Sequence, residues 1–437
     1  MKVLLLNTYD LSGGAARAVY RLHRGLKTIG LDSRLVVQQK SGDRPDVSGP
    51  GSFLKEFMTP LRLLGDSLFV RHYKNAQLEN FAPALIPENL PSRLVHFNAE
   101  ILHLHWVADA YLRLETFRKF RKPLVWTLHD MWAFTGGCFY SEECHRYTDV
   151  CGCCPVLGSR KEKDLSRWVF RRKLKNWQNL DLTVVAPSNW LAECARKSAL
   201  FERCRVEVIP NGIDVNVYRP IERTLARRIL NLPEQKKIVL FGALSATSDQ
   251  RKGYHLLKPA LQRLRREYRG TEDVELVVFG AEPPEVLPDL DFRVHYVGKL
   301  YDDPSLAMLY SAADVFVAPS VQDNLPNTVL EALACGTPCV AFDIGGMPDM
   351  ITHKVSGYLA KPYETEDLSR GVSWVLEDDE HRQKLGQNAR IKVESDFALE
   401  KIAGRYLELY QEILSGGTNL TSPTDGGDAF REEPNVL

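Results

Sequence analysis

The sequence predicts an α/β fold built from two doubly wound, Rossmann-like domains that face each other across a cleft. Three observations carry that expectation. Lys2 to Leu6 reads as a buried parallel strand, followed by the glycine loop Ser12-Gly13-Gly14 and a helix from about Ala15 with Ala18, Leu22 and Leu26 on one face. In the second half of the chain, Lys237 to Gly242 starts the same succession of strand, loop and helix again. Finally, 437 residues exceed what a single core fills and suit two domains of roughly 200 residues each.

Composition narrows the function classes. Lys+Arg and Asp+Glu both total 56, so no global field favours nucleic acid. No apolar run approaches the roughly 18 residues that a bilayer span needs, and MKVLLLNTYD reads as a first strand and not as a signal peptide, so a cytoplasmic protein is expected. In that compartment nine cysteines point to thiols or a metal site and away from a disulfide framework.

Leu31 to Gln38 is the next strand, and the polar, Pro/Gly-punctuated stretch from Ser41 to Pro91 reads as loops plus helices. Ile101 to Trp106 and Pro123 to Asp130 are two further strands. In doubly wound sheets ligands lie at the carboxyl ends of strands, which puts His105, His129 and Asp130 where chemistry is expected. Cys138, Cys144, Cys151 and Cys154 follow; the two-residue gap between the last pair suits a tetrahedral structural zinc, and reduced thiols in a compact loop are the alternative. Residues 160–177 form a basic helix with Phe170, Leu174 and Trp177 at i, i+4 and i+7. This is either a core-facing stripe or a peripheral contact with an anionic membrane. Leu182 to Ala186 is a strand, and Pro187-Ser188-Asn189-Trp190 opens a helix.

The stretch Ser320 to Asp343, SVQDNLPNTVLEALACGTPCVAFD, organises the second half. Pro326 marks a helix start, Val329, Leu330 and Leu333 have helical spacing, Gly336 marks the stop, and Cys339 to Phe342 is a buried strand. Asp323 precedes the helix beside its free N–H groups, while Glu331 lies on one helical face. Two acceptors for hydroxyls thus flank an anion site, an arrangement that suits a nucleotide sugar. Elsewhere, Arg251-Lys252 lie in a Gly-containing loop from Ser245 to Gly253, and Val274 to Gly280 and Val294 to Leu300 are strands. Residues from about Ser415 have the composition of a disordered tail.

The form QDNLPNTVLEALACGTP resembles the signature of retaining glycosyltransferases of family 4, which have the GT-B fold, and within them the branch that builds exopolysaccharides of the colanic-acid type. The resemblance implies an acceptor-binding domain over 1–209, completed by a helix at about 398–414 that crosses back, a nucleotide-sugar domain over 210–397, a linker between them at Val206 to Asp214 and a second glycine turn at Gly345-Gly346-Met347-Pro348-Asp349; the tail over 415–437 is expected to be disordered from its composition. It implies transfer from a nucleotide-sugar donor, UDP-linked or else GDP- or ADP-linked, to a saccharide or polyprenyl-linked saccharide acceptor, with no metal required for catalysis. Lys252 and Arg251 would pair with the diphosphate. The family's usual arginine position is Ala243 here, and its usual first glutamate is Asp323. Asp323 and the backbone of Asn324 and Leu325 would grip the sugar, Glu331 the ribose, and His129 would lie near the reacting carbon. Gly13 and Gly14 would face the diphosphate, and Gly298, Lys299 and Leu300 the base. A nucleotide-sugar epimerase of the same architecture, a phosphorylase or disaccharide synthase, and a non-catalytic nucleotide-binding scaffold are the competing readings.

Overall fold

The apolar runs pair as parallel strands in two separate sheets. The computed structural model describes residues 1–50, 53–88, 90, 94–242, 249–280 and 292–416. The first sheet holds β1 (Lys2–Tyr9), β2 (Asp32–Gln39), β3 (Val47–Ser48), β4 (Ile101–Leu104), β5 (Leu124–Thr127), β6 (Leu182–Ala186) and β7 (Arg205–Val208), in the order β3-β2-β1-β4-β5-β6-β7. The second holds β8 (Lys237–Gly242), β9 (Val274–Phe279), β10 (Val294–Tyr296), β11 (Val315–Ala318), β12 (Cys339–Phe342) and β13 (Gly357–Ala360), in the order β10-β9-β8-β11-β12-β13. Register is set by β-branched and leucine side chains buried on both faces: Leu5 pairs with Leu35 on one side and His103 on the other. Each order reverses direction beside its first strand, and that switch point opens a crevice at the carboxyl edge.

Helices connect the strands: α1 (Gly13–Thr28), α2 (Phe53–Arg71), α3 (Leu165–Trp177) and α4 (Asn189–Lys197) in the first half, then α5 (Arg223–Ile229), α6 (Tyr254–Glu267), α7 (Asp303–Ala312), α8 (Asn327–Ala334), α9 (Met347–Met350), α10 (Thr365–Leu376), α11 (Asp379–Asp396) and α12 (Leu399–Leu414). Their starts are chemically marked. Asp164 accepts the Arg167 N–H, Ser188 that of Leu191 and Asp302 that of Ser305, each satisfying a donor that the helix leaves unpaired.

The chain crosses between the domains twice. The outward crossing follows β7, and the return runs through Phe397 into α12, which packs Ile402, Ala403, Tyr406, Leu409, Tyr410 and Ile413 against β1, β2 and α1 of the first domain. The two crossings are bonded to each other: Ile213 N–H donates to Phe397 O at 2.9 Å and Leu399 N–H to Ile213 O at 3.0 Å, a parallel bridge between Ile213 and Ala398.

Two alternatives left open by the sequence are narrowed here. The aromatic stripe of the basic helix is not a membrane face: Phe170 and Trp177 are buried in the first domain's core, with Leu174 packed against it. Lys173 is buried as well and donates to the carbonyls of Trp132 and Thr135. Nor do the cysteines assemble as a zinc site. Among the described residues no three His, Cys, Asp or Glu side chains are grouped to hold a metal ion. Cys138 and Cys154 sit in a small apolar cluster with Val70, Phe81 and Leu157, and Cys151 Sγ accepts the Gly136 N–H at 3.2 Å. Burial pushes the thiols up, Cys151 to about 12 and Cys154 to about 11, so they behave as small hydrophobes. Ala243 and Ser245, with the loop around them, lie outside the described residues, as does the tail from residue 417. No described helix is long and apolar enough to cross a membrane.

Candidate active site

The carboxyl edges of the two sheets face each other, and the residues there come from both. On the second domain, Asp323 ends the loop after β11 and is buried. Lys252 Nζ stands 2.7 Å and Arg251 Nη1 3.2 Å from Asp323 Oδ2, and Arg251 also lies 4.5 Å over the Tyr140 ring. Burial acts to raise the Asp323 carboxyl, but Lys252 and then Arg251 outweigh it and hold the group below its ordinary range. The loop's path is fixed by glycines. A Cβ at Gly346 would stand 1.6 Å from Asn324 O, and one at Gly345 2.0 Å from Asp323 O, so no side chain fits where the second glycine turn supports this backbone. Asn324 reaches across to the first domain, accepting from Ser188 Oγ at 2.7 Å and donating to His129 O at 3.3 Å. The Leu325 side chain packs in the second domain's core, which leaves only its backbone for a ligand.

The start of α8 meets the glycine loop of the first domain. Asn327 Nδ2 donates to Gly14 O at 2.9 Å, and a Cβ on Gly13, at φ +87°, would meet nothing within 4 Å. Gly13 and Gly14 therefore stand opposite a helix N-terminus, with Asn327 Oδ1 buried and lacking a hydrogen-bond partner among the described residues. Gly298, Lys299 and Leu300 follow β10. Gly298 accepts the Gly280 N–H at 2.8 Å, Lys299 is exposed, and Leu300 is partly buried against the core.

Glu331 has a partner that the sequence reading did not name. Its Oε1 stands 2.6 Å from Arg21 Nη2 of α1, and Oε2 accepts from Tyr310 at 2.9 Å; the ion pair is 7% and 3% exposed. Arg21 also donates to Tyr218 Oη, which donates to Asp303, and Arg17 bonds Asp303 at 3.1 Å and the Tyr301 carbonyl at 3.0 Å. Arg21 Nη1 is buried with no partner among the described residues. Arg17 and Arg21 sit at i and i+4 on the helix that follows the glycine loop, and that spacing was the signal available for them.

His129 sits at the end of β5, partly buried, and shares a 3.1 Å hydrogen bond with His105. Burial lowers His129 to about 4, so it is a neutral imidazole near pH 7. Behind it, His103 bonds Tyr410 at 2.6 Å and Thr127 at 2.8 Å, and Thr127 bonds Tyr406, which ties this strand end to α12. Asp130 accepts from Trp106 Nε1 at 2.7 Å and Trp132 N–H at 2.8 Å, yet burial raises it to about 6.

The comparisons agree with this architecture. Residues 12–217 match the Glycosyltransferase Family 4 model and residues 222–392 the model for glycosyl transferases group 1. The two halves of the chain thus match the two kinds of domain that these models describe. It is similar to a D-inositol 3-phosphate glycosyltransferase of Thermobispora bispora, 24% identical over 92% of this chain and 90% of that one. It is also similar to the N-acetyl-alpha-D-glucosaminyl L-malate synthase of Bacillus anthracis, 26% identical over 49% of this chain and 55% of that one, so the chain spans about half the length of that relative. Among solved structures, a sucrose-phosphate synthase from Thermosynechococcus elongatus aligns with TM-score 0.67 at 20% identity over 95% of this chain and all of that one. Anabaena HepE in complex with UDP aligns with TM-score 0.62 at 17% identity over 94% and 100%. At these identities the structures bear on the fold, which is GT-B.

Proposed function

We propose that the protein transfers a sugar from a nucleoside diphosphate sugar, UDP-linked, to a hydroxyl of a saccharide or lipid-linked saccharide, with the anomeric configuration retained and no catalytic metal, in the assembly of an exported polysaccharide. The observation that carries this reading is that Lys252 and Arg251 pair with Asp323 in the loop just before α8, while Asn327 at the start of α8 donates to Gly14 of the other domain. Cations, N–H dipoles and backbone free of side chains are what a departing diphosphate requires.

Asp323 and Glu331 act as grips. Each is matched to cations, Asp323 to Lys252 and Arg251 and Glu331 to Arg21, so neither is poised to donate a proton as a glycosidase acid must. On donor binding the ribose hydroxyls meet Glu331, and Arg21 Nη1 is at hand for the same ligand. The diphosphate shares Lys252 with Asp323. Neutral His129, backed by His105, presents a polar nitrogen to the sugar side without adding charge. The leaving phosphate takes the acceptor's proton. Domain closure excludes water.

The test is nucleotide release from UDP-, GDP- and ADP-sugars in EDTA, with and without a polyprenyl-linked acceptor. Release from one base only, stimulated by acceptor and reduced about 100- to 1,000-fold in kcat/KM by Lys252→Ala, is the expected result. Isomerisation without acceptor would instead establish an epimerase, and binding without turnover a scaffold.

A further inference from the structure

The segment between β5 and α3, residues 131–164, carries the clustered cysteines and belongs to the first domain, yet it reaches the second. The Glu142 N–H donates to Gln322 Oε1 at 3.0 Å, and the Tyr140 ring lies against Arg251, whose guanidinium carbon stands 4.5 Å from the ring centre. Arg251 is one of the two cations matched to Asp323, beside Lys252.

The edges of the Arg251 guanidinium are met by its own domain. Nη2 stands 3.2 Å from Asp249 Oδ2, and Nη1 donates to Gln322 O at 3.2 Å and lies 3.2 Å from Asp323 Oδ2. The backbone is pinned as well: the Arg251 N–H donates to Asp249 Oδ1 at 2.9 Å, and its carbonyl accepts the Val321 N–H at 2.9 Å. Hydrogen bonds run along the edges of a guanidinium and leave its face bare, so the group that covers the face decides how the plane tilts. Tyr140 covers it. An aromatic ring attracts the cation by its quadrupole and takes none of the N–H groups that a phosphate needs.

Tyr140 has a firm base. Its neighbour Phe139 donates its N–H to Asn80 O at 3.1 Å, accepts the Met131 N–H at 2.8 Å, and stacks on Trp106 at 5.4 Å. Thr135 Oγ1 donates to Cys138 O at 2.7 Å, and Cys138 bridges to Phe81. At Gly137, with φ +128°, a Cβ would stand 2.6 Å from the Phe81 ring, so this turn lies flat on that ring. Cys138 and Cys154 are buried with Phe81, and their small apolar thiols fill the space beneath the segment. Tyr140 and Arg251 belong to different domains, so they touch only while the cleft is closed.

We propose that Tyr140 is a positioning residue: its ring, carried by the cysteine-bearing segment, holds the Arg251 guanidinium in the orientation that grips the donor's diphosphate, a role that rests on Arg251 being a diphosphate ligand in the function proposed above. The grip is then complete only when the domains meet, which couples charge stabilisation to closure.

The test is a double-mutant cycle read as calorimetric affinity for whichever of UDP, GDP and ADP the wild-type chain binds. Tyr140→Leu should weaken binding about 3- to 30-fold, and Tyr140→Phe, which keeps the ring, by less than about threefold. Tyr140→Leu combined with Arg251→Met should bind no more weakly than Arg251→Met alone. Tyr140→Met fills the same space should Tyr140→Leu fail to fold by circular dichroism. Additive losses from the two substitutions, or a loss in Tyr140→Phe equal to that in Tyr140→Leu, would overturn the proposal and leave the donor reading standing. Binding of none of the three nucleotides by the wild type would remove the donor reading itself, and the role of Tyr140 with it.

Discussion

Arg21 and Glu331 are 310 positions apart in sequence, belong to different domains, and form an ion pair excluded from solvent. Removing one member of such a pair leaves an unpaired buried charge, at about 3–5 kcal/mol. Here the chain can relieve that cost by swinging the domains apart. Arg21→Met should therefore widen the ligand-free molecule, read as a larger radius of gyration by small-angle scattering, while Arg24→Met at an exposed position of α1 should not. An unchanged radius would mean that the pair does not hold the cleft shut. Residue-scale pH behaviour follows from the buried imidazoles. His23 and His129 are lowered to about 4 and His103 to about 3, chiefly by burial, from an ordinary 6.5. Their stabilising contribution is present above about 6.5 and is lost as pH falls towards 4, because the unfolded chain then binds protons that the folded one refuses. Asp130, raised to about 6, and Asp66 and Asp109, also raised by burial, have the opposite sign, and His105, lowered by burial, adds to the imidazoles that oppose them. Urea midpoints should fall between pH 7.5 and pH 5, by up to about 1.4 kcal/mol per pH unit for each histidine concerned. A flat profile would mean that these imidazoles are hydrated.

At the scale of elements, α12 ends the chain's return to the first domain and closes against α1 so tightly that a Cβ on Gly25 would stand 2.9 Å from Leu399 Cγ. Its two tyrosines secure the strand ends behind His129, so Tyr410→Phe should strand a buried His103 nitrogen and cost about 1–3 kcal/mol in denaturant unfolding, with circular dichroism unchanged. A loss below a few tenths would place water in that position. This is also the scale at which sequence legibility divides. The glycine loop, the strand after it and the run from Asp323 to Phe342 could be read because turn, helix and buried strand leave local periodicities. The partners of Glu331 and His103 could not, since contacts across some 300 positions leave no pattern in a window of ten or twenty. Helix α2 stayed hidden within residues 41–91 because its leucines face outward and Pro60 interrupts it, so neither a core stripe nor clean caps announce it. The aromatic stripe of α3 was legible as a stripe, but periodicity alone does not say which surroundings it meets.

At the scale of the whole molecule, groups of one domain reach the other: Arg17, Arg21, Gly14, Ser188, Asn189, Glu142 and Tyr140 are joined to Asp303, Glu331, Asn327, Asn324, Asp349, Gln322 and Arg251, and the His129 carbonyl accepts from Asn324. The structure is thus a closed arrangement in which polar side chains occupy the space between the sheets, and on the proposed function a donor would enter by exchanging places with them. The paired crossings at Ile213 and Ala398 set how that exchange proceeds, since two bonded strands admit rotation about one line far more readily than shear. They also bear on how chains of this two-domain architecture can be recombined. A second domain lifted from a relative has to be spliced at two junctions that are neighbours in space and far apart in the gene, with α12 left to its original owner; a single-junction graft would bring a foreign helix to seal the recipient's first sheet.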